Sequence, residues 1–334
     1  MTQASGAQQR PGMAAAAPAR PLIGEFAWIW IATAVLFAVS AVVAPGTLRA
    51  SALMAMLPFA AILAFVAVGQ TVVIQQRGLD MSVVALVALG GVLAARLGDM
   101  TGSVALGMLL AIGVAAVLGA FNGILVARFN VMPIVATLAS NAVFLGIVRM
   151  VSGNMVSVTP PGLKTLATAQ LMGIPATVLI AAGFIAVVAV VMRMTRIGRH
   201  FRVVGAAPRT ARAAGISVTG YIIGTYAFAS VCFAIAGMLL AGVIGSASHL
   251  AGPDYLLPGI AAVVVGGTAF TGGKGSVVAS GIAALFMVQL GQLVLAMGAG
   301  TAGQLLVQAL AIVVATTIRH LPETLRALGL GWRR

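Results

Sequence analysis

Runs of apolar residues about as long as a bilayer is thick recur along this chain, and the short stretches between them hold almost all of its charge. About 20 apolar residues are needed for a helix to cross the hydrocarbon core. By that measure the pattern predicts spans at 26–44, 52–74, 82–97, 103–127, 131–151, 174–192, 220–245, 255–272, 276–297 and 302–318. No water reaches the core, so backbone groups there must be satisfied internally and the spans are helices. The third and eighth runs are short and adjoin glycine-rich segments, which predicts broken or re-entrant helices there. The expected fold is therefore all-α: a polytopic integral membrane protein with about ten transmembrane helices in one membrane domain, 25–318. A disordered tail at 1–24 precedes it and a short tail at 319–334 follows. A cleaved signal peptide is the rival reading of the first run. Its apolar stretch is too long for an h-region of about 7–15 residues.

Charge orients these spans. With the N-terminus in the cytosol, the inside segments carry fifteen of the 19 Lys and Arg residues, and the outside carries only Arg49, Arg96, Arg149 and Lys164. That asymmetry follows the positive-inside rule and places both termini in the cytosol. It also removes nucleic acid as an explanation of the +14 net charge, because the basic residues lie in clusters between spans and form no binding stripe. Composition agrees: 61% of residues are hydrophobic and 7% charged, against roughly 25% charged in soluble domains. The 41 glycines suit close helix packing in lipid. Cys232 stands alone, so no disulfide framework or Cys-based metal site forms.

The chemistry inside the spans is polar but uncharged. Glu25, Asp80, Asp99, Asp254 and Glu323 all fall at span ends or between spans, so no carboxylate or His relay for a proton-driven carrier is expected. Sodium coupling stays open, since hydroxyls and carbonyls bind sodium. Gln70, Asn122, Thr137, Asn141, Gln289 and Gln292, with Ser140, Gln304 and Gln308, lie in or near spans. They serve either as interhelical hydrogen bonds or as the lining of a path for an uncharged hydrophilic solute. Two glycine-marked interruptions are predicted: Gly78-Leu79-Asp80-Met81-Ser82 before the third span, and a turn containing Gly266, Gly267, Gly272 and Gly273 after the eighth. The second does not form a phosphate loop, because Thr268 and Gly275 occupy positions where a Walker A motif requires Gly and Ser or Thr. No ATP site, metal, cofactor or enzymatic cluster of acid, His and Cys is expected.

Between the sixth and seventh spans, residues 193–219 form the one substantial cytosolic loop. Pro208 suits a first helical position and Gly215 a left-handed helix end, so a two-turn helix through Arg209, Ala211 and Arg212 is predicted. It either rests on anionic lipid or docks a cytosolic partner.

Four segments in order resemble bacterial ABC sugar-importer permeases of the ribose/xylose/galactose type, within the branched-chain amino-acid permease superfamily. They are Gly78-Leu79-Asp80-Met81-Ser82-Val83; Phe121-Asn122-Gly123 with Pro133-Ile134-Val135-Ala136-Thr137-Leu138; Gly205 to Ile216; and Ile260 to Ser276. The resemblance covers about residues 50–318. It implies a permease subunit in the bacterial inner membrane, paired with a second permease chain as homodimer or heterodimer, with separate cytosolic ATPase subunits and an extracytoplasmic solute-binding protein. It also implies that Gly205, Pro208, Arg209, Ala211, Arg212, Gly215 and Ile216 couple the chain to the ATPase. Ala206-Ala207-Pro208 and Tyr255-Leu256-Leu257 depart from the family pattern, which leaves the substrate open. A branched-chain amino-acid permease and a stand-alone sodium-coupled carrier are the alternatives.

Overall fold

The computed structural model describes residues 26–327, with side chains through residue 317. Thirteen α-helices follow one another among those residues. They are α1 (Trp28–Val43), α2 (Ala50–Gln75), α3 (Val83–Thr101), α4 (Val104–Ala127), α5 (Pro133–Ser152), α6 (Pro161–Thr168), α7 (Ala176–Met194), α8 (Arg196–Ala206), α9 (Pro208–Ala213), α10 (Val218–Ile244), α11 (Pro253–Val265), α12 (Val277–Ala296) and α13 (Thr301–Ala327). A 3-10 turn at Pro45–Leu48 links α1 to α2. Four two-residue strands make two small ribbons: β1 (Ser157–Val158) with β4 (Ser246–Ala247), and β2 (Gln170–Leu171) with β3 (Ile174–Pro175).

Local signals account for many helix ends. Ser103, Thr195, Ser217 and Ser276 accept amide hydrogen bonds as N-caps of α4, α8, α10 and α12. Proline opens α5, α6, α9 and α11, where its missing N–H costs nothing. Left-handed glycines end α3, α5 and α10 at Gly102, Gly153 and Gly245.

Helices α2, α3 and α10 form the centre, with α4, α11 and α12 around them. Lipid offers no hydrophobic drive for helices to associate, so small residues that let backbones approach carry the packing. Gly90 and Gly237 do this where α3 crosses α10: a Cβ at Gly90 would strike the Ala234 backbone, and one at Gly237 the Val87 carbonyl.

Seven of the helices are long and apolar enough to cross a membrane: α2, α3, α4, α5, α7, α10 and α12. The shorter apolar helices α1, α11 and the 301–317 part of α13 occupy the remaining predicted spans. This is an all-α polytopic membrane protein. Two expectations change. The third span is a continuous 19-residue helix, and its irregular part lies wholly in the linker before it. The eighth span stops at Val265; the glycines from 266 leave the helix, with Gly267, Gly272 and Gly273 at positive φ. The tail at 1–24 lies outside the described residues. At the other end, α13 runs on through Ala327, into the segment expected as a tail.

Candidate functional site

The α2–α3 linker folds back between helices and carries a buried polar knot. Gln70 on α2 pairs with the Asp80 backbone as another peptide group would: its Nε2 donates to the Asp80 carbonyl at 2.6 Å, and its Oε1 accepts from the Asp80 amide at 3.4 Å. One Asp80 carboxylate oxygen accepts the Ser82 amide at 2.9 Å and the Ser82 hydroxyl at 2.5 Å. Asn122 on α4 donates to Ser82 Oγ at 3.0 Å. From α5, Thr137 accepts from the Met81 amide at 2.9 Å, and Asn141 accepts from the Ala85 amide at 2.9 Å. These side chains satisfy amide groups that the first turn of α3 and the preceding linker leave without intrahelical partners. Four of the predicted path residues, Gln70, Asn122, Thr137 and Asn141, thus meet around one helix start.

Asp80 is 0% exposed. The sequence placed it at a span end and so outside the membrane's polar accounting; the back-folded linker instead buries it among α2, α4 and α10. Among the described residues, its second oxygen, Asn122 Oδ1 and the hydroxyls of Tyr226 and Ser230 are buried with no hydrogen-bond partner. Unpaired buried polar groups are costly, and together these mark a site with unmet polar capacity. Tyr226 and Ser230 on α10 carry no motif; only their spacing of four, which stacks them on one helix face, hinted at them.

Gln289 and Gln292 stand apart from this knot. Gln289 on α12 donates to Ser40 Oγ at 3.0 Å and reaches Thr47 Oγ1 at 3.5 Å, which ties α12 to α1 and the 3-10 turn. Gln292 lines a separate open recess of about 600 Å³ with Val43, Thr47 and Leu295. A second cavity of about 590 Å³, between α2, α7, α8 and α10, is walled by Val72, Phe184, Phe201, Tyr221 and Phe228. Its apolar lining does not suit a hydrophilic solute.

At the other end of the linker, three distant stretches join. Helix α2 ends with Arg77 at φ 63° and a Gly78 amide bonded back to the Val73 carbonyl at 3.0 Å. A left-handed backbone costs a side-chain-bearing residue roughly 1–2 kcal/mol, and Arg77 offsets this through its side chain. Its Nε donates to the Gly205 carbonyl at 2.9 Å, and an Nη donates to the Ala206 carbonyl. These are the last carbonyls of α8, where the helix dipole favours a cation. Gln76 donates to the Phe201 carbonyl at 2.9 Å. The Gly273 amide donates to the Gln75 carbonyl at 2.8 Å. A Cβ at Gly205 would strike that same Gln75 carbonyl, and one at Gly273 would press on Ala206 at 2.7 Å. The predicted glycine turn and Gly205 therefore meet in one junction. In the sequence, Arg77 carries no signal beyond being one of the fifteen basic residues assigned to the inside.

Beyond the junction, the 193–219 segment is mostly helical. It contains α8, which was not foreseen, followed by α9. Pro208 opens α9, and Gly215 follows it at φ +75° with the Ile216 amide bonded to the Ala211 carbonyl at 2.9 Å. Val204, Ala211 and Val218 form a small core of their own, flanked by Ile216, Tyr221 and Ile222. Arg209 and Arg212 are exposed on the opposite side. The pair is a compact basic hairpin standing on the junction.

Comparison with known proteins gives this arrangement a context. The family described as branched-chain amino acid transport system, permease component, matches residues 52–316. The galactofuranose transporter permease protein of Escherichia coli (strain K12) is 33% identical over 230 residues, covering 68% of this chain and 67% of that protein. The ribose import permease protein of Bacillus subtilis (strain 168) is 30% identical over 299 residues, covering 89% and 92%. The galactose/methyl galactoside import permease protein of Escherichia coli (strain K12) is 33% identical over 236 residues, covering 64% and 69%. No solved structure matches the chain significantly.

Proposed function

This chain belongs to the family of branched-chain amino acid transport system permease components, and from that membership we propose that it is the permease subunit of an ATP-driven importer of a monosaccharide-like solute. The observation that carries the reading is the extent of its likeness to permeases named for ribose, galactose and galactofuranose. As a multi-pass protein of the bacterial inner membrane it has no ATP-binding motif of its own, so partner ATPase subunits hydrolyse the nucleotide. A solute-binding protein delivers the cargo from outside, and a second permease chain completes the path.

In this reading the chain crosses the membrane ten times with both ends in the cytosol. Helix α9, held by α8 and ended by Gly215, docks the ATPase. Its movement shifts the two permease chains between outward and inward access. The knot at Gln70, Asp80, Ser82 and Asn122 supplies the polar groups nearest the path, and Gln289 holds α12 to α1 and the 3-10 turn. Hydroxyl, amide and carboxyl oxygens with no basic side chain among them suit hydroxyl-rich cargo better than a zwitterion, which calls for paired charges.

The test is uptake in proteoliposomes holding the chain, its ATPase subunits and the solute-binding protein. Ribose, galactose and leucine are offered separately, with ATP inside. One of the sugars should drive uptake and ATP hydrolysis. Leucine-driven hydrolysis would move the reading to an amino-acid importer, and sodium-dependent uptake without the ATPase would overturn it.

A further inference from the structure

We infer that Arg77 is a positioning residue for transport: it latches the end of α8 to the end of α2, so that displacement of the α8–α9 hairpin is delivered to the α2–α3 linker and its polar knot. The inference rests on the proposed ATPase-docking role of that hairpin.

Three observations support it. Glycine alone would end α2 in the left-handed conformation without strain, yet Arg77 stands there at φ 63°. What arginine adds is reach: two hydrogen bonds to the Gly205 and Ala206 carbonyls. The contact is also too close to slip. Gly205 has no room for a Cβ against the Gln75 carbonyl, Gly273 donates to that same carbonyl at 2.8 Å, and Gln76 holds Phe201 one turn back along α8 at 2.9 Å. The end of α8 therefore moves with the end of α2 or breaks several bonds at once. Finally, the linker that follows Arg77 is short and held at its far end. Asp80 is fixed to Gln70 at 2.6 Å, and Ser82 receives Asn122 at 3.0 Å. A pull on Arg77 thus acts on the knot without intervening slack. Both ends bias one packed element, which is the physical requirement for coupling between sites.

The experiment uses the reconstituted importer, with solute uptake per ATP hydrolysed, ATPase co-purification and the thermal midpoint of the permease read in parallel. Arg77→Ala should keep the ATPase bound and hydrolysing while uptake per ATP falls about 10-fold, within the range by which residues along a coupled network change coupling. Arg77→Lys should recover part of the ratio, because lysine keeps the cation but loses the fork that reaches two carbonyls. Combining Arg77→Ala with Gln76→Ala should lower the ratio by less than the product of the single effects, since both act through one latch. An unchanged ratio in Arg77→Ala would overturn the inference. So would loss of ATPase co-purification in Arg77→Ala with no rescue by lysine, which would make Arg77 only a support for the hairpin's fold. The docking reading itself is read from Arg209→Glu with Arg212→Glu: if that pair leaves ATPase co-purification intact, the docking role fails, whatever the Arg77 ratio.

Discussion

One oxygen of Asp80 accepts both the amide and the hydroxyl of Ser82, so its value to the fold lies in an acceptor at that point more than in its charge. Asp80→Ala removes the acceptor and strands both Ser82 donors in a buried place; the expected loss is about 1–2 kcal/mol. Asp80→Asn keeps an oxygen there and should lose less than half as much. Thermal midpoints of the purified chain in detergent decide this, and equal losses would mean that the charge matters and the acceptor does not. Close packing gives a second residue-scale test. A side chain at Gly237 meets the Val87 carbonyl, whereas one at Gly113 meets nothing. Gly237→Ala should destabilise by about 1–3 kcal/mol as an overpacking change, and Gly113→Ala should be neutral or slightly stabilising. Sequence made Gln70, Asn122, Thr137 and Asn141 visible, because polar residues in apolar runs stand out. Their meeting around the start of α3 was not legible. It depends on the linker folding back, and no short-range pattern encodes that return.

Among elements, α9 was the most legible, because both its ends use residues with local conformational reasons: proline at the first position and glycine at φ +75°. Helix α8 was missed for the opposite reason. Ile197, Phe201 and Val204 do recur at helical spacing, but the stripe is short, and Arg196, Arg199 and Arg202 between those positions read as orientation charges of a loop. The element-scale prediction follows from α9's end. Proline at 215 cannot adopt a positive φ and would lose the bond from the Gly215 amide to the Arg212 carbonyl at 3.0 Å. Gly215→Pro should therefore abolish uptake. The small core of Val204, Ala211 and Val218 is separate from the main one, so the thermal midpoint of the chain should hold within a few degrees. A collapse of the midpoint together with uptake would show that the hairpin is part of the global fold and not a separable docking element.

For the whole molecule, the topology turns on whether α11 crosses. At 13 residues and 1.5 Å per residue it spans only about 20 Å, short of a hydrocarbon core of about 30 Å. Its surroundings nevertheless tie its two sides to opposite ends of the bundle. The segment before it begins at Gly245, whose carbonyl receives the Thr159 amide at 3.2 Å, and β4 pairs with β1; Lys164 lies beside this end. The segment after it reaches Gly273, bonded to the C-terminus of α2 and packed on the end of α8. The extended glycine stretch thus completes a path that the helix alone is too short to make. This geometry argues for a crossing where hydropathy is weakest, and it agrees with the charge count that puts the α8–α9 hairpin inside. Cys232 is buried, so the native chain should give little background with a membrane-impermeant maleimide. Cysteines introduced at Leu250 and Asn154 should then label in intact cells, and those at Thr271 and Thr210 only in inside-out vesicles. Labelling of positions 250 and 271 from the same side would remove the crossing of α11, reverse the orientation of everything after it, and leave the chain with an odd number of spans.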